Sequence, residues 1–269
     1  MKLFQRNHDI IRAVAVDIDG TLVDEETGIV PDSAVLALKK IRKKGIRVFI
    51  CTGRNKAELD KPLRDMGWDG MVLLNGRLVY NREGDVVWNN CIPQQETDGL
   101  LDLIKAHYFP VCFVGNEQIF INQSDGTLEQ MGNKPDYPGV VPARTLDDVY
   151  GLDIYNAAVY LGPQHDDDLK RVLKSCKIER LGPTILSIEP QLNDKRAGMT
   201  ELLKYCTIPR TRLLFIGDGP HDTGLMRYAG YSAAMGSADE TVKSAAGYVT
   251  ADVMHNGLEQ AFRHFRLIR

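Results

Sequence analysis

Short apolar runs alternate with helical patterns near the start of the chain, and this alternation constrains the fold most strongly. Ala13–Val16 is an unbroken apolar run that stops at Asp17. Such a run is typical of a strand that is buried on both faces of a parallel sheet. Residues 31–44 carry apolar side chains at helical spacing, with a proline near the start and a glycine just past the end. The same reading predicts a strand, a helix and a strand, at 46–51, 55–66 and 71–74.

The predicted order β-α-β-α-β indicates parallel strands joined by helices, and hence a right-handed doubly wound sheet. The C-terminal part of the chain repeats this alternation. The helices predicted there are at 195–205, 223–229, 240–246 and 257–265. The strands predicted there are at 212–216, 231–235 and 248–250.

The pattern changes between about residues 80 and 189, where short strands follow one another through short turns and two helices lie among them. The predicted strands are at 111–114, 118–122, 154–161, 178–181 and 185–188, and the predicted helices at 94–107 and 164–175. Strands joined by short turns are typical of an antiparallel α+β domain. We therefore predict an α/β protein. Its mostly parallel, doubly wound, Rossmann-like core consists of residues 1–80 and 190–269, and residues 81–189 form an inserted α+β cap domain.

The charge balance and the cysteines narrow the class of protein. The chain has 33 Lys and Arg against 36 Asp and Glu, a net charge of −3, so no basic excess favours nucleic acid or an anionic membrane as a partner. No apolar run approaches the ~18–20 residues of a membrane helix, and the polar residues 1–9 do not resemble a signal peptide. Five cysteines are odd in number and lie far apart, which is typical of a reducing compartment. We expect a cytoplasmic enzyme or binding protein.

Carboxylates follow the predicted strands at their carboxyl ends, where open α/β sheets bind ligands. Asp17 and Asp19 follow the first strand, and Asp218 and Asp222 follow the strand at 212–216. Clustered carboxylates repel one another in their charged state unless a cation compensates them. Oxygen ligands favour a hard ion, and Mg²⁺ suits a site with few carboxylates and several retained waters. The sequence therefore predicts a Mg²⁺ site at this edge.

Carboxylates that share a metal ion suggest phosphoryl transfer. Mg²⁺ relieves the repulsion between a carboxylate and a phosphate dianion, so that one aspartate can attack phosphorus and form an acyl phosphate. A second aspartate can protonate the leaving alkoxide and then take a proton from water. Thr52 and Gly53, at the end of the second strand, can donate hydrogen bonds to the phosphoryl oxygens. Arg54 and Asn75 are either exposed turn residues or substrate contacts.

The sequence Asp17-Ile18-Asp19-Gly20-Thr21-Leu22 resembles the nucleophile motif, DxDGTL, of the haloacid dehalogenase-like superfamily. Thr52, Lys195 and residues 217–222 match the second, third and fourth motifs in the order that the family requires. Residues 234–243 resemble the tail of the Cof-type sugar-phosphatase branch. The resemblance covers both segments of the predicted core.

The resemblance implies a role for each matched residue. Asp17 is expected to be the nucleophile and a Mg²⁺ ligand, and Asp19 the acid/base whose backbone carbonyl also binds the ion. Thr52 and Lys195 are expected to hold the phosphoryl group, with Lys195 also restraining Asp17. The inserted domain corresponds to the larger cap class of the family, which closes over small phosphorylated metabolites.

The fourth motif carries the one departure from the family. Asp218 is expected to bind Mg²⁺ and Asp222 to support the metal ligands, but His221 stands where the family usually has asparagine. An imidazole can still donate one hydrogen bond, and it would repel Mg²⁺ when protonated. We expect activity that is retained but falls below about pH 6.5, where an ordinary imidazole gains a proton.

These observations predict a Mg²⁺-dependent phosphatase that hydrolyses small phosphomonoesters through an aspartyl phosphate. The preference for sugar phosphates comes from the family resemblance alone. One alternative is a phosphosugar mutase of the same superfamily. Another is a non-catalytic protein that binds a phosphorylated metabolite, an alternative that His221 motivates. The sequence leaves the substrate and the oligomeric state open.

Overall fold

A computed structural model describes residues 11–122, 140–142, 146–192 and 194–269. Residues 1–9, which do not resemble a signal peptide in sequence, lie outside these ranges. The described residues divide into two units, each considered by itself. The core unit contains residues 11–53, 66–88 and 194–269, and the inserted unit contains residues 54–65 and the described residues between 89 and 192.

The strands are β1 (Ala13–Val16), β2 (Arg47–Cys51), β3 (Gly70–Leu73), β4 (Leu78–Asn81), β5 (Val86–Asn89), β6 (Val111–Gly115), β7 (Ile119–Ile121), β8 (Val140–Pro142), β9 (Ile154–Tyr160), β10 (Cys176–Arg180), β11 (Ile185–Pro190), β12 (Leu213–Gly217), β13 (Tyr231–Ala234) and β14 (Tyr248–Val249). The helices are α1 (Asp32–Arg42), α2 (Lys61–Arg64), α3 (Gln94–His107), α4 (Asp166–Val172), α5 (Lys195–Tyr205), α6 (Thr223–Tyr228), α7 (Glu240–Ala245) and α8 (Gly257–His264). Among the described residues, none of these helices has the length and apolarity needed to cross a membrane.

The core unit is built on an eight-stranded sheet with the order β14-β13-β12-β1-β2-β3-β4-β5. Neighbours from β14 to β3 pair in parallel, and β4 pairs antiparallel with β3. All four residues of β1 are fully buried, and successive side chains of a strand point to opposite faces. Both faces of the sheet are therefore covered, which confirms the predicted doubly wound α/β fold.

Helices provide this cover because their apolar sides face the sheet. Met199 and Leu202 of α5 are buried in one cluster with Ala13 and Phe49 of the sheet. The alternate strand residues, such as Val14, are also fully buried, and α8 packs against α1. The two-sided burial explains why the strands of the core appear in the sequence as nearly continuous apolar runs.

The inserted unit contains a six-stranded sheet with the order β10-β11-β9-β6-β7-β8. Its pairs are antiparallel, apart from β7 with β8, which are parallel. Leu100 and Ile104 of α3 and Leu169 of α4 are buried against the sheet residues Val111 and Val159. This is the α+β arrangement that the short, turn-linked strands predict.

The helix predicted at 55–66 is wrong over most of its length, because only α2 is helical there. The Glu58 N–H donates a 3.0 Å hydrogen bond to the Asn55 side chain, which holds the backbone in a turn. The Asp60 carboxylate then accepts a 2.9 Å hydrogen bond from the Leu63 N–H and caps the helix start. Local side-chain bonds thus replace the first half of the expected helix.

The boundaries of the two units differ from those predicted in two places. Strands β4 and β5 extend the core sheet, so that the core unit continues to residue 88 rather than 80. Residues 54–65 group with the inserted unit, where Lys56 pairs with Glu117 at 2.5 Å. Neither feature has a strong local pattern in the sequence.

Candidate active site

The ends of β1 and β12 bring two acidic segments to the same edge of the core sheet. The strands are parallel neighbours in the register Val16 to Ile216. The Asp17 N–H continues the ladder by donating a 3.0 Å hydrogen bond to the Ile216 carbonyl. Asp17 and Asp218, which follow the two strands, are therefore neighbours. One carboxylate oxygen from each of Asp17, Asp218 and Asp222 lies within 4.8 Å of the other two.

Lys195 lies between two of these carboxylates. Its Nζ atom is 2.7 Å from Asp17 Oδ2 and 2.7 Å from Asp222 Oδ1, and all three side chains are buried. Burial lowers the pKa of Lys195, but the two carboxylates outweigh that effect and raise it above its ordinary value. The lysine is therefore charged in the folded protein and holds both carboxylates in place.

The Asp17 carboxylate has a defined orientation. Its Oδ1 accepts a 2.7 Å hydrogen bond from the Ile18 N–H, while Oδ2 faces Lys195. Burial raises the pKa of Asp17 well above its ordinary value, and the Lys195 ammonium opposes this rise. The side chain is thus held by one backbone donor and one cation, an arrangement in which it cannot change rotamer without losing both.

Asp222 closes the loop that carries Asp218. Its Oδ2 accepts hydrogen bonds from the Asp218 and Gly219 N–H groups at 2.9 and 3.0 Å. A Cβ atom at Gly217 would lie 2.3 Å from the same oxygen, so this position requires glycine. The two Asp222 oxygens therefore bond to Lys195 and to the loop backbone, and Asp222 holds the loop and the lysine in position.

Asp218 is positioned by the loop after β1. The Thr21 hydroxyl donates a 2.6 Å hydrogen bond to Asp218 Oδ1. Gly20 has a φ of +68°, and a Cβ atom there would lie 2.1 Å from Asp218 Oδ2. Burial raises the pKa of Asp218 to about 6. Asp19 lies in the same loop and is half-buried. The loop folds back on itself, because the Gly20 N–H donates a 3.0 Å hydrogen bond to the Val23 carbonyl.

The carboxyl end of β2 contributes buried polar groups to the site. Thr52 is fully buried, and its carbonyl accepts a 3.0 Å hydrogen bond from the Asn75 N–H. A Cβ atom at Gly53 would lie 3.1 Å from Asn75 Oδ1, so Gly53 lets the two loops approach. Asn75 itself adopts a left-handed backbone with a φ of 52°. The structure thus places Thr52, Gly53 and Asn75 together at the carboxyl ends of β2 and β3.

Two glycines set the position of Lys195, and the sequence analysis did not identify them. A Cβ atom at Gly76 would lie 2.1 Å from the Asp194 carbonyl, and one at Gly198 would lie 2.6 Å from the Gly76 carbonyl. The start of α5 therefore packs directly against the backbone of the loop after β3. The Asp194 side chain caps α5 by accepting a 2.6 Å hydrogen bond from the Ala197 N–H. Gly198, three residues after Lys195, is a glycine inside a predicted helix, and this feature of the sequence could have indicated the close packing.

Two other candidate residues are placed differently. Arg54 belongs to the inserted unit, where its Nη1 donates a 3.1 Å hydrogen bond to the Glu58 carbonyl. His221 lies in the short 3-10 turn Pro220–Asp222, and its side chain is exposed. Within the core unit, the exposed His221 side chain points away from the buried position that Lys195 and Asp222 share.

Replacing Asp218 with asparagine is expected to stabilise the metal-free protein at pH 7 by about 1 kcal/mol. The raised pKa means that the ionised carboxylate is unfavourable in the folded state, although partial exposure screens part of the effect. Because the folded-state pKa of about 6 exceeds the unfolded value, the gain should shrink as the pH falls through 6 toward about 4. Urea unfolding of both proteins in EDTA, at pH 7 and at lower pH, measures this gain in the free energy of unfolding.

The amide oxygen of asparagine can still accept the Thr21 hydrogen bond, so this variant preserves the local packing. A variant that is less stable than the unsubstituted protein at pH 7 in EDTA would show that the Asp218 carboxylate is not under electrostatic stress.

The chain is similar to known proteins over most of its length. A family model described as haloacid dehalogenase-like hydrolase matches residues 14–262. The 5-amino-6-(5-phospho-D-ribitylamino)uracil phosphatase YcsE of Bacillus subtilis (strain 168) is 24% identical over 276 residues, covering 98% of this chain and 99% of that protein.

Two solved structures are also similar over nearly the whole chain. The HAD subclass IIB sugar phosphatase BT4131 gives a TM-score of 0.74 at 28% identity, covering 96% of this chain and 100% of that chain. The phosphatase BT1666 from Bacteroides thetaiotaomicron gives a TM-score of 0.77 at 29% identity, covering 97% of both chains.

Proposed function

We propose a specific reaction for this chain, because it belongs to the haloacid dehalogenase-like hydrolase family and, like its relatives named as phosphatases, is a phosphatase. The reaction is the Mg²⁺-dependent hydrolysis of a small phosphomonoester, a sugar phosphate, through an aspartyl-phosphate intermediate on Asp17. The match to the family over residues 14–262 confirms the resemblance that the motifs of the sequence predict.

One observation carries the proposal, namely the charge of the buried cluster. Asp17, Asp218 and Asp222 place one carboxylate oxygen each within 4.8 Å of the others; when ionised they carry three negative charges, against one positive charge on Lys195. Two negative charges are left uncompensated at a place where burial already raises the pKa values of Asp17 and Asp218. A divalent cation would balance this charge, and an all-oxygen donor set suits Mg²⁺.

The residues at the edge of the sheet fit such an ion. Asp17 and Asp218 would hold it through their carboxylates, and Asp19 through its backbone carbonyl. When bound, Mg²⁺ supplies positive charge that offsets the repulsion between the Asp17 carboxylate and the phosphate dianion. Asp222 would remain in its present role, because its oxygens already serve the loop backbone and Lys195.

The proposed reaction proceeds in two displacements. First, an Asp17 oxygen attacks phosphorus while the bond from phosphorus to the sugar oxygen breaks, and the Asp19 carboxyl gives its proton to that oxygen. Asp19 then takes a proton from a water molecule, whose oxygen attacks the phosphorus of the acyl phosphate. The bond between phosphorus and Asp17 breaks, inorganic phosphate leaves, and both side chains return to their starting protonation.

Hydrogen-bond donors and one cation stabilise the charge that develops on the phosphoryl oxygens. Thr52 and Gly53 follow β2 at the edge where Asp17 follows β1, and the Lys195 ammonium is fixed 2.7 Å from Asp17 Oδ2. Donors that are already oriented need no reorganisation when the transition state forms, which makes them effective. Asn75 and Arg54 are proposed as substrate contacts beyond the phosphoryl group.

The proposal of a sugar phosphate as substrate is supported by the similar proteins. BT4131 is named as a sugar phosphatase, and YcsE is named for a substrate with a phosphorylated ribityl chain. Both names describe a phosphate ester on a small polyhydroxylated group. Such groups offer many hydroxyls for hydrogen bonding, so a specific site can discriminate strongly between them.

A phosphate-release screen tests this function directly. Sugar phosphates, nucleotides and cofactor phosphates are each incubated with the protein, in Mg²⁺ and in EDTA. The proposal expects release of inorganic phosphate in Mg²⁺ only, with sugar phosphates turned over fastest. A phosphorylated isomer formed without phosphate release would indicate the mutase instead. Binding of sugar phosphates without any turnover would indicate the non-catalytic alternative.

Replacing His221 with asparagine is expected to leave the rate at pH 8 nearly unchanged and to raise the rate at acidic pH. A protonated imidazole next to the metal-binding loop would repel Mg²⁺, whereas an amide stays neutral. The measurement is the pH–rate profile of both proteins between about pH 5 and 8, the range in which imidazoles titrate. Identical profiles for the two proteins would remove His221 from the account of the pH dependence.

A further inference from the structure

One cavity of the core unit lies away from the candidate active site. Its volume is about 750 Å³, within the range of about 300–1,000 Å³ that is typical of sites for small molecules. Its walls come from the end of α1, the starts of β2 and β3, the turn after β4 and the end of α5. The residues that line it and are used below are Arg42, Arg47, Asp69, Arg82, Glu83 and Tyr205.

The cavity lies at the amino ends of the parallel strands of the core sheet, whereas the candidate active site lies at their carboxyl ends. Arg47 is the first residue of β2 and pairs with Ala13, the first residue of β1. Asp17 follows the last residue of β1, about 13 Å further along at roughly 3.3 Å per residue. A ligand in this cavity therefore cannot be the substrate of the proposed phosphatase reaction.

Three guanidinium groups line the cavity, and their charge is only partly balanced. Arg82 lies 3.6 Å from Asp69 Oδ1, while Asp69 Oδ2 accepts a 2.9 Å hydrogen bond from the Val48 N–H. Arg47 donates to a neutral partner, the Cys206 sulfur, at 3.2 Å. Among the described residues, the carboxylates that line the cavity are Asp69 and Glu83, so one positive charge is in excess over these groups.

Arg42 is the guanidinium with unsatisfied donors. Its Nε and Nη2 atoms are buried and have no hydrogen-bond partner within the described part of the chain. The group lies 5.5 Å from the centre of the Trp68 ring, which attracts its charge but accepts no strong hydrogen bond. A buried donor without a partner is uncommon in native proteins. Because both atoms lack accessible surface, a ligand would meet them only after the guanidinium turns toward the cavity, which Arg42 lines.

We propose that this cavity binds a small anionic metabolite whose phosphate or carboxylate groups pair with Arg42 and Arg82. Arginine suits both groups, because its planar fork of donors matches two oxygens at once. The phenol of Tyr205 is 55% exposed beside these cations and offers a flat apolar wall for the rest of the ligand. This site is separate from the candidate active site, so the proposal does not depend on the identity of the phosphatase substrate.

Trp68 provides a direct reporter for binding at this cavity. The chain has two tryptophans, Trp68 and Trp88, so Trp88→Phe leaves one fluorophore, beneath Arg42. This protein is titrated in EDTA with inorganic pyrophosphate and, separately, with citrate, which distinguishes a phosphate from a carboxylate preference. We expect a saturable change in fluorescence with at least one probe, and an affinity that falls as salt is added.

Substitutions in the same background locate the site. Arg42→Met and Arg82→Gln are each expected to weaken the affinity by about tenfold or more, as the loss of a charged hydrogen bond implies. Lys39→Gln is the matched control, because it removes a positive charge from an exposed position on α1 outside the cavity. It should change the affinity by less than about twofold, since an exposed charge contributes little.

Three results would overturn the proposal. One is the absence of a saturable signal with either probe up to about 10 mM, a concentration at which even a weak site fills. Another is an equal loss of affinity in the Lys39→Gln and Arg42→Met variants, which would indicate a general charge effect. The third is loss of the signal in Asp17→Asn, because that would place the ligand at the catalytic edge.

Discussion

Replacing Asp17 with asparagine is expected to lower the rate of Mg²⁺-dependent phosphate release by at least about 10³-fold, more than 4 kcal/mol in the activation barrier. An amide is not nucleophilic enough to form the intermediate, and its NH₂ group cannot accept one of the two hydrogen bonds that Ile18 and Lys195 give the carboxylate. The rate is measured with the best substrate of the screen, at saturating Mg²⁺.

A matched aspartate serves as the control for this substitution. Asp65→Asn removes one carboxylate from an exposed position that pairs with Lys61, and it should leave the rate within twofold. Circular dichroism checks that both variants are folded. Acid quenching of the unsubstituted protein during turnover should trap a phosphoryl group on the peptide that contains Asp17. Full activity of Asp17→Asn, or a trapped group on another peptide, would contradict the assignment of the nucleophile.

Replacing Lys195 with methionine is expected to lower the free energy of unfolding by about 3–5 kcal/mol at pH 7. Methionine has a similar length, so the main loss is the charge that compensates Asp17 and Asp222, both 2.7 Å away and buried. The loss should be smaller at pH 5 than at pH 7, because the carboxylates can then neutralise themselves by binding protons. Urea unfolding at the two pH values, in EDTA, measures the effect.

Two further variants make this prediction specific to the buried cluster. Lys204→Met removes an exposed lysine of the same helix, which pairs with Glu201 at 2.7 Å, and should cost less than about 1 kcal/mol. Adding Asp222→Asn to Lys195→Met should recover part of the lost stability, because one uncompensated charge disappears with it. Equal costs for Lys195→Met and Lys204→Met would contradict a buried electrostatic role for Lys195.

Local pattern was enough to predict the elements that build the core. The run Ala13–Val16 has the continuous apolar character that burial on both faces of a sheet demands, and it forms β1 with the predicted bounds. The helical spacing after Asp194 likewise matches α5, Lys195–Tyr205. The failures fall where local bonds oppose the pattern, as at residues 55–60, where the Asn55 side chain replaces a helical turn.

The candidate site could likewise be predicted from the sequence only in part. The sequence by itself determined which acidic residues end the strands, because strand ends and motif spacing are local properties. Only the tertiary structure decided which of them meet, since Thr21 and Asp218 are 197 residues apart and Gly76 lies against the start of α5. Such contacts depend on the register of neighbouring strands and on how closely two backbones approach. Both result from the packing of the whole core, and no local stretch of sequence encodes them.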